Sequence, residues 1–166
     1  MDSNGASRRG FLATLTLVLA GVPILGAIVA SLRSGLAPAR VEKPTSIPLC
    51  HLEELPKGDA ILGRAVTFEM RRGPLVENVS RMVFVTRGES DGDYLAMLGE
   101  CTHLRCPIQQ RTVSVGGRDA PLRCPCHGGV FSRTGEVLAG PPRAPLRRLE
   151  LEMPTDGADI VHVRGL

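Results

Sequence analysis

The 166-residue chain has no tryptophan, one tyrosine and four phenylalanines. A core so poor in large aromatics is modest, and 19 glycines and 13 prolines spread turns along the chain. Small cores of this kind are often stapled by a metal or a disulfide. The sequence also lacks an excess of either charge. Of 20 basic residues, Arg8, Arg9, Arg33 and Arg40 stand in the first forty with one acid, Asp2, which leaves residues 41–166 with 16 of each sign. That balance excludes a nucleic-acid binder, which needs a concentrated basic face to displace counterions. No internal repeat or low-complexity tract occurs. With 43% hydrophobic and 22% charged residues the chain is not wholly disordered.

One segment is rich in what the rest lacks. Residues 11–32 (FLATLTLVLAGVPILGAIVASL) carry no charge. They are long enough to span a bilayer as a helix, and they are apolar all round rather than along one stripe. Gly21, Pro23 and Gly26 are tolerable in such a helix. The preceding Ser7-Arg8-Arg9-Gly10-Phe11-Leu12 is similar to the twin-arginine export signal. Residues 1–10 are therefore expected in the cytoplasm, 11–32 in the membrane and the rest exported already folded. Ala37-Pro38-Ala39 has the small-residue pattern of a signal-peptidase site, but the apolar run favours a retained anchor. Residues 33–48 contain three prolines and no apolar period, and read as a linker. It spans roughly 20 Å as a coil, or about 50 Å as polyproline.

Residues 49–166 read as a β-rich head. Ala65–Phe68, Met82–Thr86 and Tyr94–Leu98 have strand composition, with a turn at Gly88–Asp93. Leu149, Leu151 and Met153 alternate with charged residues, and Thr155–Asp159 turns the chain into Ile160–Val163. Between about 100 and 146 this pattern gives way to Gly, Pro, Cys and His. The expected architecture is an antiparallel sheet with a loop-built insertion.

The insertion carries Cys101-Thr102-His103-Leu104-Arg105-Cys106 and Cys124-Pro125-Cys126-His127-Gly128-Gly129. Each group offers two cysteines and one histidine, the ligand types of zinc and of iron–sulfur clusters. If each supplies one Cys and one His to a shared site, one Cys is left over in each, and those two can form a disulfide. Cys50, outside both groups, reads as a plain buried thiol.

These two motifs, followed by Phe131-Ser132-x-x-Gly135 and by Gly140-Pro141-Pro142-Arg143-Ala144-Pro145-Leu146, resemble the Rieske iron–sulfur protein family. The resemblance is greatest to the membrane-anchored subunit of cytochrome bc-type and bf-type quinol-oxidising complexes. It implies an all-β antiparallel Rieske-type sandwich with a cluster-binding subdomain behind one transmembrane helix. It implies one 2Fe–2S cluster per chain, with Cys101 and Cys124 on one iron and His103 and His127 on the other. Cys106 and Cys126 would form the disulfide, and Gly140, Pro141 and Pro142 would belong to a loop covering the cluster. His127 would accept the hydrogen bond from quinol, with Leu104 in the docking surface. The implied partners are the membrane, quinol, a cytochrome b-type subunit and a c-type cytochrome or equivalent acceptor. The implied location is the bacterial inner membrane, head outside.

Neutral imidazoles in place of two thiolates raise the reduction potential of such a cluster. A metal-bound imidazole also keeps a second N–H, more acidic when the metal is ferric, so electron and proton uptake are coupled. That suits quinol, which gives up both. The sequence departs from high-potential members at Gly129, where they carry Ser, and at Phe131, where they carry Tyr. Each missing hydroxyl, at about 1 kcal/mol, lowers a one-electron potential by roughly 40 mV. A low-potential, menaquinol-type donor is expected. Arg105, in place of the usual Gly, and Arg123 act in the opposite sense, weakened by screening. A Rieske small subunit of a periplasmic molybdenum oxidase, such as arsenite oxidase, is the alternative. A zinc module has no use for two spare cysteines, and oxygenase-type ferredoxins lack the Cys106–Cys126 pair and the anchor.

Overall fold

The computed structural model describes Leu12, Leu15 and residues 22–33, 41–88, 90 and 92–166. The chain divides into two units, Met1–Arg40 and Val41–Leu166. In the first, residues 22–33 are helical and exposed. Among the described residues no helix is long and apolar enough to cross a membrane. The paired arginines, most of the apolar run expected to span the bilayer, and 34–40 of the expected linker lie outside the described residues.

Among the described residues the second unit has eleven strands: β1 (Val41–Glu42), β2 (Ile47–His51), β3 (Ile61–Arg72), β4 (Leu75–Arg87), β5 (Tyr94–Leu98), β6 (Gln109–Val115), β7 (Arg118–Arg123), β8 (Val130–Phe131), β9 (Val137–Ala139), β10 (Arg148–Glu152) and β11 (Ile160–Arg164). A seven-stranded antiparallel sheet runs β1-β3-β4-β5-β10-β11-β2. β2 also packs against β3, so the sheet curls on itself. β1 and the start of β2 lie within the stretch expected to be linker. A two-residue strand has no period to read. Pro48 also disguises β2, although a proline is tolerated on an edge strand, where β2 sits.

β4 and β5 are apolar on both sides, and this positions the site. Val83 and Val85 pair with Leu98 and Ala96 and face one core with Val66, Phe68, Leu149, Val161 and Val163. Phe84 and Met97, paired with each other, face the opposite way because successive side chains alternate across a strand. They meet a second core of Ile108, Leu122, Phe131 and Leu146, into which Cys101 and Cys124 are also packed. The curled sheet thus offers its outer face as a floor for the cysteine- and histidine-bearing segments.

The insertion is not built from loops alone. It holds a four-stranded sheet, β6-β7-β8-β9. β6 and β7 join through Gly116-Gly117, with Val115 opposite Arg118. Both glycines have positive φ, 58° and 76°, as a two-residue hairpin of matching twist requires. The polar face of β6 hid this strand from a reading based on apolar runs.

Candidate metal centre

Three loops converge at the end of this small sheet. The first leaves β5 through Gly99, whose N–H donates to Met82 O at 2.7 Å, while Ile108 N–H donates to Gly99 O at 2.9 Å. Between these anchors the Cys101 N–H donates to Cys106 O and the Arg105 N–H to Cys101 O, both at 2.8 Å. The chain reverses at Arg105, which takes a positive φ of 57°. In the second loop the Cys124 N–H donates to Gly129 O at 2.7 Å. The third contains Gly140, Pro141 and Pro142, and the Thr102 hydroxyl donates to Ala144 O at 2.7 Å, tying the first loop to the third.

Glycines fix how closely the third loop lies on the second. A Cβ on Gly140 would stand 2.6 Å from Gly128 O and 2.8 Å from Gly129 Cα, and φ there is +90°. A Cβ on Gly129 would stand 2.8 Å from Pro142 Cγ and 3.4 Å from Cys124 Cβ. The serine expected here in high-potential relatives therefore has no room unless Pro142 shifts.

The four candidate ligands sort by burial. The Cys101 and Cys124 residues are 2% and 1% exposed. His103 and His127 are exposed, their ring centroids 5.0 Å apart in an edge-to-face arrangement. Burial pushes the Cys101 thiol pKa up, the backbone N–H of His103 holds it down, and the Cys124 thiol hydrogen-bonded to it pushes it up again. Backbone donors aimed at this sulfur, which include the Leu104 N–H, are what a thiolate ligand requires. Two buried thiols and two exposed imidazoles are a donor set that would suit two adjacent metal ions, one held by sulfur and one by nitrogen.

Cys106 and Cys126 form a disulfide, Cα atoms 6.5 Å apart, stapling the first loop to the second. Both sulfurs lie within 4.8 Å of Cys124 Sγ. Those three sulfurs are not a metal triad, because two are consumed in the bridge. Phe131 is fully buried beneath the site in the second core. Leu104, 64% exposed, and Arg105 stand at the tip of the first loop. Cys50 is a buried free thiol whose pKa burial raises. Sequence reasoning missed Thr102, whose hydroxyl cross-links two loops. Nothing in the sequence marks it beyond its place inside the first motif.

The Rieske [2Fe-2S] domain family matches residues 45–150. The chain is 25% identical to a cytochrome b6-f complex iron-sulfur subunit of Chlorobaculum thiosulfatiphilum, over 90% of this chain and 72% of that one. It is 36% identical to a menaquinol:cytochrome c reductase iron-sulfur subunit of Geobacillus thermodenitrificans, over 44% and 42%. It is 45% identical to a carotenoid phi-ring synthase of Chlorobaculum tepidum, but over 35% of this chain and 8% of that one. The match thus spans less than half of two of these three relatives, and the three carry differently named activities.

Proposed function

The chain belongs to the Rieske [2Fe-2S] domain family, and from that premise we propose that it is the electron-transfer subunit of a quinol-oxidising membrane complex. The observation that carries the reading is the buried pair Cys101 and Cys124 together with the exposed pair His103 and His127, whose rings stand 5.0 Å apart. The four would hold the cluster, thiolates inward and imidazoles outward. Bound there, the cluster supplies a one-electron acceptor at a potential raised by imidazole ligation. His127, exposed at the surface, accepts the hydrogen bond from the quinol hydroxyl and takes its proton. Leu104 supplies an apolar contact at the same tip. The second core and the disulfide hold the loops still, so that little reorganisation accompanies the transfer.

The donor is a low-potential quinol of the menaquinol type. Gly129 and Phe131 bring no hydroxyl to the site, and one relative is named as a menaquinol:cytochrome c reductase subunit. The acceptor is a c-type haem or its equivalent, reached by movement of the head on the segment that follows the apolar run. That run anchors the chain in the bacterial inner membrane with the head on the outer face, an oxidising side that suits the Cys106–Cys126 bridge.

Purification of the full chain from its native membranes tests the reading. Co-elution of b-type and c-type cytochromes, with menaquinol-dependent reduction of the c-type haem, is expected. Co-elution with a molybdenum subunit and no quinol dependence would overturn it. In the same preparation Phe131→Tyr should raise the cluster midpoint by roughly 40 mV if the new hydroxyl reaches a sulfur, at about 1 kcal/mol per bond.

A further inference from the structure

Beside the first motif, on the side facing the curled sheet, opens a cleft of about 420 Å³. This volume is in the range of small-ligand sites. Its floor is apolar: Phe68 and Leu98 are buried, Met70 and Leu166 partly so. Its rim carries four cations, Lys43, Arg81, Arg105 and Arg147, and one acid, Glu100, and the first motif walls one side with Cys101, Thr102 and His103. Two of these cations are already engaged. Arg81 Nε stands 2.8 Å from Glu100 Oε1, and Lys43 donates to the Leu166 main-chain oxygen. The guanidinium groups of Arg105 and Arg147 have no hydrogen-bond or ion-pair partner among the described residues, although both main chains are hydrogen-bonded. Two uncommitted guanidiniums thus overlook an apolar floor.

We infer that this cleft binds an amphipathic organic anion, a phosphate ester or carboxylate joined to a small apolar group. Guanidinium groups favour these anions because their planar fork matches two oxygens at once. A neutral apolar ligand would cover the floor and leave both cations without a counter-charge. An inorganic anion would meet the cations and leave the floor wet. Only a ligand with both parts satisfies both surfaces. Such a group could come from a soluble metabolite or from a phospholipid head. Cys101 and His103, proposed as cluster ligands, also line the cleft, so its ligand would lie beside the cluster; anion binding is read by calorimetry and cluster content by spectroscopy, so the two readings fail separately.

The test is calorimetric titration of the full chain in zwitterionic lipid nanodiscs with phenyl phosphate, empty discs subtracted. Saturable binding at one site per chain is expected, at least tenfold tighter than inorganic phosphate or benzyl alcohol. Arg105→Gln and Arg147→Gln should each weaken it at least fivefold. Arg147→Lys keeps the charge but not the fork and should weaken it less than Arg147→Gln does, and Arg118→Gln, at the distant β6–β7 turn, should leave it unchanged. Repetition in discs containing phosphatidylglycerol separates the sources: loss of phenyl phosphate binding assigns the cleft to a lipid head, and retention assigns it to a soluble anion. Non-saturable heats, or equal affinity in wild type and both glutamine variants, would overturn the inference.

Discussion

Three glycines of the site provide a graded test of how tightly the proline loop is seated. Gly128 has φ +71° and nothing within 4 Å of a Cβ, so Gly128→Ala meets only the left-handed backbone. That costs about 1–2 kcal/mol. Gly129 has no such penalty, but its Cβ would press on Pro142 Cγ at 2.8 Å. The proline ring can give a few tenths of an ångström, and overpacking of this kind costs about 1–3 kcal/mol. Gly140 suffers both effects, and the atoms its Cβ meets, Gly128 O and Gly129 Cα at 2.6 and 2.8 Å, are main chain that no rotamer change can clear. The two terms together give about 2–5 kcal/mol for Gly140→Ala. At about 2–4 °C per kcal/mol for a chain of this size, melting temperature should fall by about 2–8 °C for Gly128→Ala and by about 4–20 °C for Gly140→Ala. Thermal melts of the full chain by circular dichroism read the series. A Gly140→Ala melt no lower than that of Gly128→Ala would refute the close seating of the loop.

Further outcomes follow from the same geometry. Cys106→Ser opens a loop closed across a sequence separation of 20 and should cost about 3 kcal/mol by loop-closure entropy, read by denaturant unfolding. Arg105→Gly relieves a positive φ of 57°. It should raise stability by up to about 1 kcal/mol, net of the extra freedom glycine gives the unfolded chain, and an unchanged or lower melt would contradict this. The Asp159 carboxylate, 3.0 Å from His51 Nδ1, raises the His51 pKa, chiefly through that hydrogen bond. A raised folded-state pKa gives stability that is complete below the unfolded value of about 6.5 and is lost as pH rises through the folded one. Asp159→Asn should flatten the melting temperature of the full chain over that window. A decline as steep as in wild type would count against the pair.

The family and its cluster were legible because cysteine and histidine and their spacing are written in residue identity, in the two short motifs Cys101–Cys106 and Cys124–Gly129. The long strands were legible where apolar residues cluster, as in Met82–Thr86 and Tyr94–Leu98. Which face those strands present was not, because both faces are buried and no alternation remains. Hence the second core, where Phe84 and Met97 carry the ligand loops, emerges only in three dimensions. The β6–β7 hairpin escaped detection because Gln109, Gln110, Arg111 and Thr112 are polar, although Gly116-Gly117 marks its turn. The demand for glycine at 129 was equally hidden. The sequence shows a missing hydroxyl there, whereas the structure shows a missing volume filled by Pro142.

The mixed coordination of the site is tested most directly by pulsed electron paramagnetic resonance on the dithionite-reduced full chain, labelled with ¹⁵N-histidine and produced with cluster-assembly proteins. The account predicts a paramagnetic cluster coupled to two histidine nitrogens, with one coupling lost in His103→Cys and the other in His127→Cys. A reduced cluster without nitrogen coupling, or a chain that binds zinc and no iron, would contradict it.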